Sequence, residues 1–197
     1  MKTIKLWLLS VIFVLISSPF ARALTVKPLS LDQLTRMAPR IVQVTCEDKQ
    51  VELDEAESGL SVTWYTFEVL ECLKGDCPEH LTIKQVAQGT ESSGNSMARV
   101  NFGLPEYEVG KTYLLFLAGD SDKTGLTAPM GVFQGHFPME KTGGKWTIPD
   151  LHTRKTLFKN MEAKLPGKGA MLKKLGSSGS SGDYEEFKSV INAILEK

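Results

Sequence analysis

Between Arg40 and Ile148 the chain is built from short runs of β-branched and aromatic residues, each closed by a polar or glycine-containing break. Ile41, Val42 and Val44 open the series. Val62, Trp64, Phe67 and Val69 follow, then Leu81, Ile83 and Val86, then Thr112 to Leu117, then Gly131 to Phe137. Trp146 to Ile148 is placed to pair back across a Gly143-Gly144 turn. Parallel neighbours need a crossover of a dozen or more residues, usually a helix, and no such helical period separates these runs. The pattern therefore predicts a mainly β fold, an antiparallel barrel or sandwich of five or six strands. Pro129 and Pro138 bracket the Gly131–Phe137 run, and because a sheet interior resists proline they are expected at strand ends.

Helical signals flank the strands. Ser30-Leu-Asp-Gln33 has the form of a capping box, and Leu31, Leu34 and Met37 continue at helical spacing, so a short N-terminal helix is expected from Leu31 to about Ala38, ended by Pro39. Residues 150–175 read as a helical, charged extension with Leu151, Leu157, Phe158, Met161 and Leu165 as apolar contacts. Residues 176–182, Gly-Ser-Ser-Gly-Ser-Ser-Gly, read as a flexible linker. In residues 183–197 Asp183 can cap an amphipathic C-terminal helix whose stripe is Phe187, Val190, Ile191, Ile194 and Leu195, and such a stripe ordinarily docks on its own domain.

The first 23 residues have the organisation of a secretory signal peptide: Lys2 and Lys5, an apolar core from Leu6 to Ile16, and Ala21-Arg22-Ala23 as a cleavage site. Cleavage would leave 174 of the 197 residues, placed in the periplasm or secreted, with no stable membrane insertion. Losing Lys2, Lys5 and Arg22 leaves 20 basic residues against 23 acidic ones, a balance that argues against nucleic acid as a partner. The one basic cluster, Arg154 to Lys174, is broken by apolar residues and reads as a solvated surface segment. In an oxidising compartment the three cysteines favour pairing. Cys72 and Cys77, at either end of a glycine-containing turn, are the first choice, with Cys46–Cys72 as the rival and the odd cysteine left as a buried thiol or an intermolecular partner.

Catalytic signatures are absent from the sequence: it has no Gly-x-Ser-x-Gly elbow, no His-Glu-x-x-His and no phosphate-binding Gly-x-x-x-x-Gly-Lys loop. His80, His136 and His152 each stand alone in the sequence, and His136, in a strand pattern beside Phe133 and Phe137, reads as a satisfied structural imidazole or an exposed edge residue. The acidic run Asp48, Glu52, Asp54, Glu55 and Glu57 reads as a solvated hairpin tip. No catalytic residue, metal or cofactor is therefore expected, unless folding brings a histidine to a Cys, Ser or carboxylate inside a cleft. The Gly/Ser-rich stretch from Gln88 to Glu108 reads as a long loop, and Ser92, Ser93, Asn95, Met97 and Arg99 are its candidate partner-binding residues.

Several pieces together carry a family resemblance: Leu29-Ser-Leu-Asp-Gln-Leu34 leading to Ile41-Val42, Thr66-Phe-Glu-Val-Leu-Glu-Cys-Leu-Lys-Gly75, Phe102-Gly-Leu-Pro-x-Tyr-x-Val-Gly110 before Tyr113-Leu-Leu-Phe-Leu117, and Gly131-Val-Phe-Gln-Gly-x-Phe137. Over Leu29 to Phe137 the chain resembles a group of uncharacterised exported bacterial domains whose barrel is similar to the OB-type barrel of the tissue inhibitors of metalloproteinases. The resemblance implies an OB-like barrel over residues 24–149 that presents loops to a partner. In the inhibitors an N-terminal cysteine chelates the protease zinc; here the first cysteine of the expected mature chain is Cys46. The favoured function is an exported, non-catalytic binding module whose partner is another exported protein. The alternatives are inhibitor-like action through loops and an enzyme with an unrecognised site.

Overall fold

The computed structural model describes residues 26–56, 59–87, 103–154, 156–177 and 181–197. The expected signal segment 1–23 and the loop residues Ser92, Ser93, Asn95, Met97 and Arg99 lie outside them.

Helix α1 spans Leu31–Met37, and both halves of its capping box are made: the Ser30 hydroxyl accepts from the Gln33 amide while the Gln33 side chain accepts from the Ser30 amide. The chain then enters β1 (Arg40–Asp54) and continues through β2 (Leu60–Lys74), β3 (His80–Val86), β4 (Thr112–Leu117), β5 (His136–Thr142), β6 (Lys145–Ile148) and β7 (Gly182–Asp183). These make one antiparallel sheet in the order β3-β2-β1-β4-β5-β6-β7. It has seven strands where five or six are expected, because Gly182, the last residue of the segment read as a linker, and Asp183 after it pair with β6 as β7. Among the described residues no ladder joins edge strand β3 to edge strand β7. Residues 126–129 lie between β3 and β4 through single bridges, Lys84 to Leu126 and Leu117 to Pro129, with the Thr127 amide donating to the Lys84 carbonyl at 2.8 Å.

The sheet separates two cores. Side chains alternate along a strand, so β4 sends Leu114 and Phe116 to one face and Tyr113, Leu115 and Leu117 to the other. All six residues of β4 are buried, as a strand covered on both faces requires. On one face Val42, Val44, Cys46, Tyr65, Phe67 and Ile83 close around Tyr107. On the other, α1 packs with a 3-10 turn (Leu151–Thr153), α2 (Met161–Lys164), α3 (Gly169–Leu175) and α4 (Tyr184–Leu195). The stripe of α4 docks here, burying Phe187, Val190, Ile191 and Ile194. Gly182 explains the tight entry into that helix, since a Cβ at this position would lie 2.6 Å from Leu151 Cδ2.

Three expectations are corrected. The acidic residues Asp48, Glu52 and Asp54 belong to strand β1 itself, where a register shift between Cys46 and Asp48 re-aims the strand, and the turn lies beyond Asp54. The run from Gly131 is a turn as far as Gly135, and the strand starts only at His136. Pro138 sits within that strand, opposite Tyr113. The Phe116 amide donates to the Gly135 carbonyl, so the antiparallel alternation makes Leu114–Phe137 and Thr112–Met139 the bonded pairs and leaves Pro138 in a non-bonded one. The missing N–H then costs no ladder bond to β4, and β6 begins pairing only at Glu140.

Candidate functional site

A groove of about 470 Å³ lies between the segment leading into β4 and the β5–β6 hairpin. Glu106, Glu108 and Lys111 lie on one side, Glu140, Lys141 and Trp146 on the other, and Tyr113 and His136 contribute to its lining. Local chemistry fixes each wall. The Glu108 amide donates to the Tyr113 hydroxyl at 2.9 Å, and Lys49 of β1 holds Glu106 by an ion pair at 3.2 Å. Across the groove the Gly143-Gly144 turn brings Lys141 opposite Trp146, with the ammonium 5.4 Å from the ring centre.

His136 differs from the satisfied imidazole expected of it. Its ring packs against Tyr107 and Tyr113, at centroid distances of 5.4 and 5.1 Å, and its buried Nε2 has no hydrogen-bond partner among the described residues. Burial, aided by the nearby Arg154 charge, pushes its pKa down to about 4, so the ring is neutral near pH 7. Among the described residues no carboxylate orients it. A base of this kind lacks the third group that holds a catalytic imidazole in one tautomer.

The other sequence candidates are dispersed. His80 Nδ1 lies 3.0 Å from Glu47 of β1, within hydrogen-bond reach of a carboxylate, but the side chains are 56% and 41% exposed and stand at the surface rather than in a cleft. His152 has its side chain outside the described residues. Cys72 and Cys77 form a disulfide, with their Cα atoms 5.9 Å apart, and Cys46 is a free thiol buried in the Tyr107 core, where desolvation pushes its pKa up. Among the described residues no group of three His, Cys, Asp or Glu side chains converges as a metal site would, and no helix is long and apolar enough to cross a membrane.

Two residues take parts here that the sequence did not assign to them. Tyr107 is a fully buried aromatic at the centre of four ring contacts, and its signal in the sequence was only its place in the Phe102–Gly110 motif, as a tyrosine between two glutamates. Arg154, grouped with a solvated basic segment, instead tucks its guanidinium against the sheet; Lys164, Lys173 and Lys174 of the same segment are indeed exposed. No protein-family model matches the chain, and no curated protein matches it.

Proposed function

We propose that the chain is an exported, non-catalytic binding module and that its partner is another exported protein. The observation that carries this reading is the groove between the β4 entry and the β5–β6 hairpin: it is open, rimmed by side chains of both charges, and its one buried base is neutral and without a carboxylate. Interdigitated charges of both signs suit a protein surface better than a polyanion. Residues 88–102, which lie outside the described residues, precede in sequence the segment that forms the groove's rim, and we read Ser92, Ser93, Asn95, Met97 and Arg99 among them as further contacts to the same partner. The disulfide supports export, since such bonds persist in oxidising compartments. The OB-like barrel is part of the same proposal, supported by the way residues 126–129 reach from β3 to β4 through single bridges.

A photo-crosslinking side chain placed at Lys141 in the native host is expected to capture one exported protein that the same group at Met37, on α1, does not. An identical capture pattern from both positions defeats the reading. So does turnover of peptide, ester, glycoside or phosphoester substrates by the purified protein, if His136→Ala abolishes it while the fold survives.

A further inference from the structure

Arg154 leads to a second site, outside the groove. It follows the 3-10 turn and donates from Nη1 to the Gln134 carbonyl at 2.7 Å and from Nη2 to the His136 carbonyl at 2.5 Å. Its guanidinium also lies 4.1 Å from the centre of the Phe137 ring. A guanidinium has five N–H groups, and these two bonds use two of them. Burial pushes its pKa down to about 10, and no carboxylate among the described residues pairs with it. A cation withdrawn from water without a counter-ion is costly, and an anion supplied from outside would offset that cost.

The space beside Arg154 can hold one. An open pocket of about 450 Å³ has Arg154, Thr153 and Thr156 along one wall and Val26, Leu29, Phe133 and Leu157 among its apolar walls, and among the described residues none that is acidic lines it. The volume lies within the range of small-molecule sites. Its walls are fastened rather than casual. Gln134 acts as a clamp on the N-terminal segment: its Oε1 accepts from the Leu29 amide at 2.6 Å and its Nε2 donates to the Lys27 carbonyl at 3.0 Å. The turn that presents Phe133 and Gln134 holds Val132 at φ 70°, a conformation that a β-branched residue keeps only when its surroundings impose it.

We propose that this pocket binds a carboxylate carried on an apolar body, the free N–H groups of Arg154 donating to its oxygens and Leu29, Phe133 and Leu157 covering its hydrocarbon. One guanidinium matches one negative charge; a phosphate dianion would leave a second charge uncompensated against apolar walls. Two sources share this chemistry, a free aliphatic acid and the C-terminus of a peptide ending in an apolar residue.

Calorimetric titration of the full chain, recovered after whatever processing the cell performs, separates them. The probes are octanoate against octanol, N-acetyl-Ala-Leu acid against its amide, and inorganic phosphate. At least one acid is expected to bind tenfold or more tightly than its neutral counterpart, and the tighter of the two acids identifies the source. Arg154→Gln should abolish the preference for acid over neutral probe. Phe133→Ala, at a side chain 53% exposed, should weaken acid and neutral probes alike by several-fold and leave their ratio unchanged. The proposal is overturned if neither acid outbinds its neutral counterpart, if phosphate binds more tightly than both, or if Arg154→Gln retains the preference. Should Arg154→Gln fail to fold, the wild-type ratios together with Phe133→Ala decide the matter.

Discussion

The Tyr184 hydroxyl donates to Glu71 at 2.8 Å, joining the first turn of the last helix to strand β2 across 113 residues of sequence. Lys188 reaches the same carboxylate at 3.1 Å, so α4 is tied to the sheet by a small polar cluster as well as by its apolar stripe. The two contributions are separable. Tyr184→Phe keeps the ring and leaves Glu71 paired with Lys188, and should cost about 1 kcal/mol. Phe187→Ala empties a fully buried site beside Phe137 and Phe158 and should cost about 3–5 kcal/mol. Urea unfolding of both variants gives the comparison, and equal losses would mean that the polar cluster, not burial, holds the helix.

His136 makes stability depend on acid. Its pKa in the folded chain is about 4 against an ordinary 6.5, so between these values the unfolded chain binds the extra proton. The stability present above pH 6.5 should therefore fall as pH drops through 6.5 and level off below 4, by about 3 kcal/mol at most. His136→Phe cannot be protonated and should flatten that part of the profile. Thermal midpoints of both proteins at pH 7, 5.5 and 4 measure the difference.

Gly182 should not tolerate a methyl group. Leu151 is fully buried, so its Cδ2, 2.6 Å from the added Cβ, has no open space to move into. Gly182→Ala is expected to destabilise the chain by about 1–3 kcal/mol. Gly144→Ala serves as a control at a turn where nothing lies within 4 Å of the added atom but φ is 83°; its loss comes from backbone strain alone.

Val132 offers the opposite sign. Replacing it by glycine relieves a left-handed conformation worth about 1–3 kcal/mol, offset by the extra freedom glycine gives the unfolded chain, about 0.5–1 kcal/mol. Val132→Gly should raise stability by about 1 kcal/mol. A lower denaturation midpoint would show that the valine side chain contributes packing that outweighs the strain.

Much of this architecture was legible because it is written locally. A capping box, a Gly-Gly hairpin and an amphipathic stripe each act within a few residues, and α1, the β5–β6 turn and α4 stand where those signals put them. The Cys72–Cys77 pair was similarly readable from its spacing. What escaped depends on long-range arrangement. Arg154 looks like any surface cation until Gln134 and His136 bring their carbonyls to it, and Tyr107 looks like a loop residue until Tyr65, Phe67 and Tyr113 surround it. Pro138 is permitted only by hydrogen-bond parity, which depends on the register with β4 rather than on composition. The groove inherits this difficulty, since its two sides come from segments separated by the whole of β4 and the turns after it.

The cysteines also set an order of events for a chain that meets oxidant while still unfolded. Cys72 and Cys77 are five positions apart, whereas Cys46 lies 26 positions before Cys72. Loop-closure scaling favours the shorter encounter by roughly 1.5 kcal/mol, about tenfold. The native crosslink is thus also the one that random collisions form soonest, and Cys46 is left without a competitor's chance until the sheet closes over it. Such a chain can reach its correct thiol pairing without an isomerase to undo mistakes, and oxidative refolding should pass through few scrambled species.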